Sequence, residues 1–229
     1  MGKWENVSGF DSVFRDRVDA GRQLAGKLTH YAGRSDALVL GIPRGGVVIA
    51  FEIASVLRAP LDVFVSRKLG VPWQEELAFG AVASGGVRIL EPETVESLGI
   101  SDAEIQRVST ACMAEVERRE RIYRGDRAPL DLVGKTVILV DDGIATGASI
   151  GAAIRALRQR RPSRLIVAVP VAPFETCRRL EREVDELVCL RLPETFAGVG
   201  QFYRDFSQTT DAEVMDLLDR ARSRMRERD

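Results

Sequence analysis

A chain of 229 residues with 45% hydrophobic and 29% charged residues can bury a core without disulfides or metals, as ordinary globular proteins do. Its net charge of -1 gives no basic footprint for nucleic acid over the whole chain, so no nucleic-acid partner is expected. Three scattered cysteines (Cys112, Cys177, Cys189) without C-x-x-C spacing argue against a disulfide framework or zinc site, and one histidine, His30, is too few for a His-based metal cluster.

No apolar signal core follows Met1, and no run of about 18 apolar residues occurs, so the expected setting is cytoplasmic, with no membrane partner. Phe10, Val13, Phe14, Val18, Leu24, Leu28 and Tyr31 recur at helical spacing over 10–32. An apolar run, 37–42, reads as a buried strand ending at Pro43. A helix over 47–57 and a second strand over 61–65 complete a βαβ-length unit. Gly85-Gly86 between 79–84 and 87–90 signals a hairpin. Ser101 with Glu104 three positions on predicts the cap of a long charged helix over 102–124. Strands are then expected at 136–140, 164–169 and 186–190, with helices at 149–160, 173–183 and 211–226. The alternation predicts an α/β fold, a doubly wound, mostly parallel sheet.

The chemistry concentrates after the strand Val137-Ile138-Leu139-Val140. Two acids, Asp141 and Asp142, are followed by Gly143, Ile144, Ala145, Thr146, Gly147, Ala148 and Ser149, and then by a helix. Ligands of open α/β sheets bind at the carboxyl ends of strands. Small residues leave backbone N–H groups open, Thr146 and Ser149 add hydroxyls, and the helix presents its positive end, which together suit a phosphate monoester. Two acids beside an anion site would repel the anion, so they must serve otherwise, by accepting hydrogen bonds from vicinal ribose hydroxyls or by helping to hold a divalent cation. The blander alternative is that they cap and turn the strand into the helix.

Residues 137–149 resemble the phosphoribosyl pyrophosphate (PRPP) signature of type I phosphoribosyltransferases. Gly41-Ile42-Pro43-Arg44-Gly45-Gly46 resembles that family's pyrophosphate loop, where a strained or cis peptide before Arg44 is expected, and Ser66-Arg67-Lys68 its basic pyrophosphate-holding loop. The resemblance implies a five-stranded parallel sheet with a small hood. It also implies one domain over 1–229: a core of about 37–190, an insertion or lid of about 70–130, and hood segments from the N-terminus and from about 191–229. Gly70-Val71-Pro72-Trp73-Gln74-Glu75-Glu76 corresponds to a mobile closing loop, with Trp73 either a lid aromatic or core. Phe196 or Phe202 is the implied stacking partner of an acceptor base.

On this resemblance the activity is Mg²⁺-dependent transfer of phosphoribosyl from PRPP to a small nitrogen acceptor. Arg44, Gly45, Gly46 and residues 141–149 bind PRPP, Asp141, Asp142, Arg67 and Lys68 act in catalysis, and Mg²⁺ meets Asp141 and Asp142 through PRPP or water. Ala145 stands where hypoxanthine–guanine enzymes carry an acid, which leaves the acceptor open. The alternatives are a PRPP- or nucleotide-sensing regulator with little catalysis, or another phosphate-binding α/β protein. A homodimer is expected from the commonness of two-fold assemblies.

Overall fold

The computed structural model describes residues 13–71 and 73–226, with Glu75 and Glu76 as backbone only. Phe10 and Pro72 therefore lie outside the described residues. The chain runs α1 (Arg17–Lys27), β1 (Ala37–Gly41), α2 (Gly45–Leu57), β2 (Leu61–Val63), β3 (Ser66–Val71), β4 (Gln74–Ala83), β5 (Val87–Leu90), α3 (Pro92–Ser97), α4 (Asp102–Arg124), β6 (Thr136–Val140), α5 (Ala148–Gln159), β7 (Arg164–Val171), α6 (Phe174–Leu180), β8 (Glu186–Arg191) and α7 (Asp211–Arg226).

Five strands form a fully parallel sheet in the order β2-β1-β6-β7-β8. Its central members are continuous apolar runs because both faces are covered. Val39, Ile138, Ile166 and Ala168 pack with α1, α2 and α7, whereas Leu38, Leu40, Val137, Leu139, Leu165 and Val167 pack with α5 and α6. Every residue of β6 is fully buried. At about 1.5–3 kcal/mol for each buried large aliphatic side chain, its four aliphatic residues contribute about 6–12 kcal/mol of burial.

The strand order reverses between β1 and β6. The chain leaves β1 toward β2 and later returns to the other side of β1, so the loops after β1 and β6 lead into helices on opposite faces of the sheet, the place where open α/β sheets form a binding crevice.

The stretch between β2 and β6 forms a second, antiparallel sheet, β3-β4-β5, with α3 and α4. One reading of the sequence is corrected here. Ser66-Arg67-Lys68 does not end the second parallel strand, which stops at Val63, but begins β3. β3 and β4 pair as antiparallel neighbours, with Val71 opposite Gln74. Trp73 is 58% exposed, so it is not core. The helix read over 10–32 is also shorter. Asp16 is extended and its carboxylate accepts from the Asp19 N–H at 2.7 Å, starting α1 at Arg17. Phe14 instead bridges to Tyr203. The capping box of α4 forms as expected between Ser101 and Glu104. The other end of α4 is fastened to β2, where Arg124 and Arg127 meet the buried Asp62 at 3.2 and 3.6 Å.

Among the described residues no helix is long and apolar enough to cross a membrane.

Candidate active site

The loops after β1 and β6 touch at the crevice. A Cβ on Gly46 would stand 2.7 Å from the carbonyl oxygen of Val140 and 2.9 Å from Cα of Asp141. One on Gly45 would run into the Asp142 carboxylate. Only glycine lets the two loops approach so closely. The Pro43–Arg44 peptide is cis, at the bond singled out in the sequence. Among the described residues, the N–H groups of Arg44, Gly45 and Gly46 have no hydrogen-bond acceptor.

The loop after β6 is likewise open. Among the described residues no acceptor takes the N–H of Ala145, Thr146, Gly147 or Ser149, and that of Ala148 reaches only the Thr146 hydroxyl at 3.4 Å. Gly147 has φ +78, a left-handed conformation that favours glycine, and starts α5. Ala145, Thr146, Ala148 and Ser149 are exposed, whereas Ile144 is buried under α5 and Gly143 lies against the methyls of Val199. A run of N–H groups without acceptors among the described residues, at a helix N-terminus, is a ready anion cradle.

Asp141 and Asp142 sit between the two loops. Burial, and then the neighbouring Asp142, push the Asp141 carboxyl well above the usual carboxylate range. Burial also raises Asp142, and Arg17 opposes the rise. Arg17 Nε donates to Asp142 Oδ2 at 2.8 Å, Nη1 donates to the Ser207 carbonyl, and the guanidinium lies 4.0 Å over the Phe206 ring. The buried Tyr203 donates its hydroxyl to the Asp142 carbonyl at 2.6 Å. Sequence reasoning misses Arg17 and Tyr203 because no local spacing joins them to Asp142. They come from segments far apart in the chain, which are laced together where Phe14 exchanges 2.8 Å backbone hydrogen bonds with the 202–204 segment.

The remaining site residues divide. Ser66 lies beside the cradle, its hydroxyl 3.4 Å from the Ser149 carbonyl. Strand alternation puts Lys68 on the same face as Ser66 and turns Arg67 to the opposite one, where its guanidinium is 4.0 Å from Glu115 of α4. Phe196 and Phe202 are brought together, stacked on each other with centroids 5.5 Å apart, in the tail segment that also covers Asp142 and Gly143. Thr176 and Arg179 of α6, not foreseen from the sequence, donate to the carbonyls of Ala145 and Thr146.

The acid pair fits a divalent cation of the Mg²⁺ kind. Asp141 Oδ1 is occupied by the Asp142 N–H and Asp142 Oδ2 by Arg17, which leaves one oxygen of each carboxylate open among the described residues. No group of three or more His, Cys, Asp or Glu side chains able to hold a metal occurs among the described residues. Such a cation would therefore draw most of its oxygen ligands from substrate and water, the usual habit of Mg²⁺.

A model of the phosphoribosyl transferase domain matches residues 12–207. The chain belongs to the phosphoribosyl transferase family. It is 46% identical over 209 residues to a Mycobacterium tuberculosis protein with a provisional phosphoribosyl transferase designation, covering 91% of this chain and 47% of that one. The chain thus spans about half the length of this curated relative. A bifunctional protein PyrR of Chloroflexus aurantiacus is 30% identical over 166 residues, covering 67% of this chain and 85% of its own length. The crystal structure of TT1426 from Thermus thermophilus superposes with a TM-score of 0.80 at 42% identity, covering 90% of this chain and 97% of that one. The five-stranded parallel sheet of this family member thus has a solved counterpart.

Proposed function

We propose that this phosphoribosyl transferase family member uses PRPP as donor and transfers its phosphoribosyl group to a nitrogen acceptor, a nucleobase or similar heterocycle, releasing pyrophosphate. The observation that carries this reading is the pairing of an open amide cradle at 145–149 with two half-buried acids at the β1/β6 crevice. In this arrangement the 5′-phosphate takes the N–H groups of the cradle. The ribose hydroxyls donate to the open oxygens of Asp141 and Asp142. Pyrophosphate faces the N–H groups of Arg44, Gly45 and Gly46, with Lys68 as the nearer cation of the Arg67-Lys68 pair by strand face. Bound Mg²⁺ would supply charge neutralisation on the departing pyrophosphate.

As the bond from C1 to the leaving oxygen breaks, positive charge grows on the ribose ring. The carboxylates held beside it stabilise that charge only when ionised. Binding of a cationic centre and of hydroxyl donors lowers the raised Asp141 pKa, so substrate itself charges the site. Phe196 and Phe202 offer a flat aromatic surface for the acceptor in the tail.

Calorimetric titration of PRPP with and without Mg²⁺, on wild type and the Asp141→Asn/Asp142→Asn variant, tests the donor. Saturable Mg²⁺-dependent binding that the double variant loses supports it. No binding at about 1 mM PRPP, an affinity too weak for a specific site, refutes it. Pyrophosphate release only on addition of a base then separates transfer from PRPP sensing. Sensing is the second reading, and the 30% identity to a protein named bifunctional favours it.

A further inference from the structure

Backbone amides can face a phosphate only if their peptide planes are held in that orientation. In a trans peptide the C=O of one residue and the N–H of the next point in opposite directions. At the cradle, Thr176 Oγ1 donates to the Ala145 carbonyl at 3.0 Å, and Arg179 Nη2 donates to the Thr146 carbonyl. These two carbonyls are consecutive, and their donors stand three positions apart on one face of α6. Holding both carbonyls toward α6 aims the N–H groups of Thr146 and Gly147 the other way, and those two have no acceptor among the described residues.

The hold replaces the ordinary helical bond. The Ile150 N–H, four residues beyond Thr146, does not take that carbonyl, although the Gly151 N–H takes the Gly147 carbonyl at 2.9 Å. The Arg179 guanidinium also packs on Gly147, where a Cβ would stand 2.7 Å from Nη2 and 2.9 Å from the Thr176 methyl. The contact needs glycine at 147, as does the left-handed backbone there.

We infer that Thr176 and Arg179 of α6 are positioning residues that preset the 145–147 backbone to receive a phosphate monoester. This inference rests on the cradle being the 5′-phosphate site. Neither side chain is needed to build the sheet, since Thr176 is half-buried and Arg179 exposed. The residues of α6 that fasten it to the core are Cys177 and Leu180.

The test is calorimetry with three probes, ribose 5-phosphate, inorganic pyrophosphate and PRPP, on wild type, Thr176→Val, Arg179→Met and Arg179→Lys. Each deletion should weaken ribose 5-phosphate and PRPP about tenfold, the scale of one lost hydrogen bond. Pyrophosphate binding, which uses the loop after β1, should not move. Arg179→Lys should recover most of the loss, because an ammonium can still donate to the Thr146 carbonyl. Arg179→Met, at an exposed position, is expected to keep the wild-type unfolding midpoint and stands alone if Thr176→Val unfolds.

Unchanged ribose 5-phosphate binding in both deletion variants overturns the inference, as does an equal loss for pyrophosphate. Wild type that binds ribose 5-phosphate but not PRPP overturns the donor assignment and leaves the cradle standing. Wild type that binds neither overturns both.

Discussion

Arg17 Nε and Asp142 Oδ2 stand 2.8 Å apart, with only 12% and 18% of the two side chains exposed, across 125 positions of sequence. The guanidinium opposes the burial that raises the pKa of the second acid of the crevice. Removing the guanidinium leaves a largely buried carboxyl without its cation. Arg17→Ala should lower the unfolding free energy by about 3 kcal/mol near neutral pH, the usual cost of breaking one side of such a pair. The difference should shrink in acid, because protonated Asp142 no longer needs the partner. Urea unfolding of both proteins at the two pH values decides this, and an equal deficit in acid would show that the loss is one of packing on Phe206.

Asp141 predicts the opposite sign. Its folded pKa lies above its unfolded value, so the stability available when it is protonated drains away as pH rises from the unfolded to the folded pKa. Asp141→Asn keeps an oxygen to accept from the Asp142 N–H and carries no charge. It should unfold later than wild type at neutral pH, by about 1 kcal/mol, and the advantage should vanish below about pH 4. The same variant should lose at least about 100-fold in PRPP turnover, the scale of one lost electrostatic contact. A destabilised Asp141→Asn would mean that the carboxylate is already satisfied in the free protein.

Two glycines make a matched pair. Gly46→Ala forces a methyl against the carbonyl oxygen of Val140 and Cα of Asp141, both backbone, so the loops after β1 and β6 must part. A loss of about 1–3 kcal/mol, typical of overpacking, is expected, together with loss of PRPP binding. Gly26 lies on the exposed side of α1 with no atom within 4 Å of its added Cβ, so Gly26→Ala should stabilise by about 0.5–1 kcal/mol and leave binding alone. Thermal midpoints for the two variants moving the same way would contradict the geometry.

Asp62 predicts where the α4 segment is fastened. Only 7% exposed, it faces Arg124 and Arg127 at the edge strand β2. Asp62→Ala leaves Arg124, whose side chain is 9% exposed, without its acid, and should cost about 3 kcal/mol in urea unfolding. Hydrogen exchange should show the loss concentrated in α4 and β2. A uniform loss would mean that α4 opens only with the whole molecule.

The central sheet is legible in the sequence because burial on both faces writes each strand as an unbroken apolar run, as in Val137-Ile138-Leu139-Val140. The cradle is legible because small residues after two acids are a local signal. What lies beyond local reading is partnership. Nothing near Asp142 names Arg17 or Tyr203, and nothing near Ala145 names Thr176, since these contacts are set by how the sheet brings distant segments to one edge. Where β3 and β4 pair, the sequence reads as a loop for a related reason. Gly70 and Pro72 are turn-formers in sequence, yet pairing to β4 holds the flanking residues extended up to Val71.

Because Arg17 is tied both to Asp142 and to the carbonyl of Ser207, the crevice is stitched by segments 190 positions apart in the polypeptide. All five strands of the parallel sheet precede Tyr203, Phe206 and Ser207 in the chain, so the roof over the acid pair is built from residues that the sheet itself does not use. A chain cut before Tyr203 would keep every strand of that sheet and lose the roof.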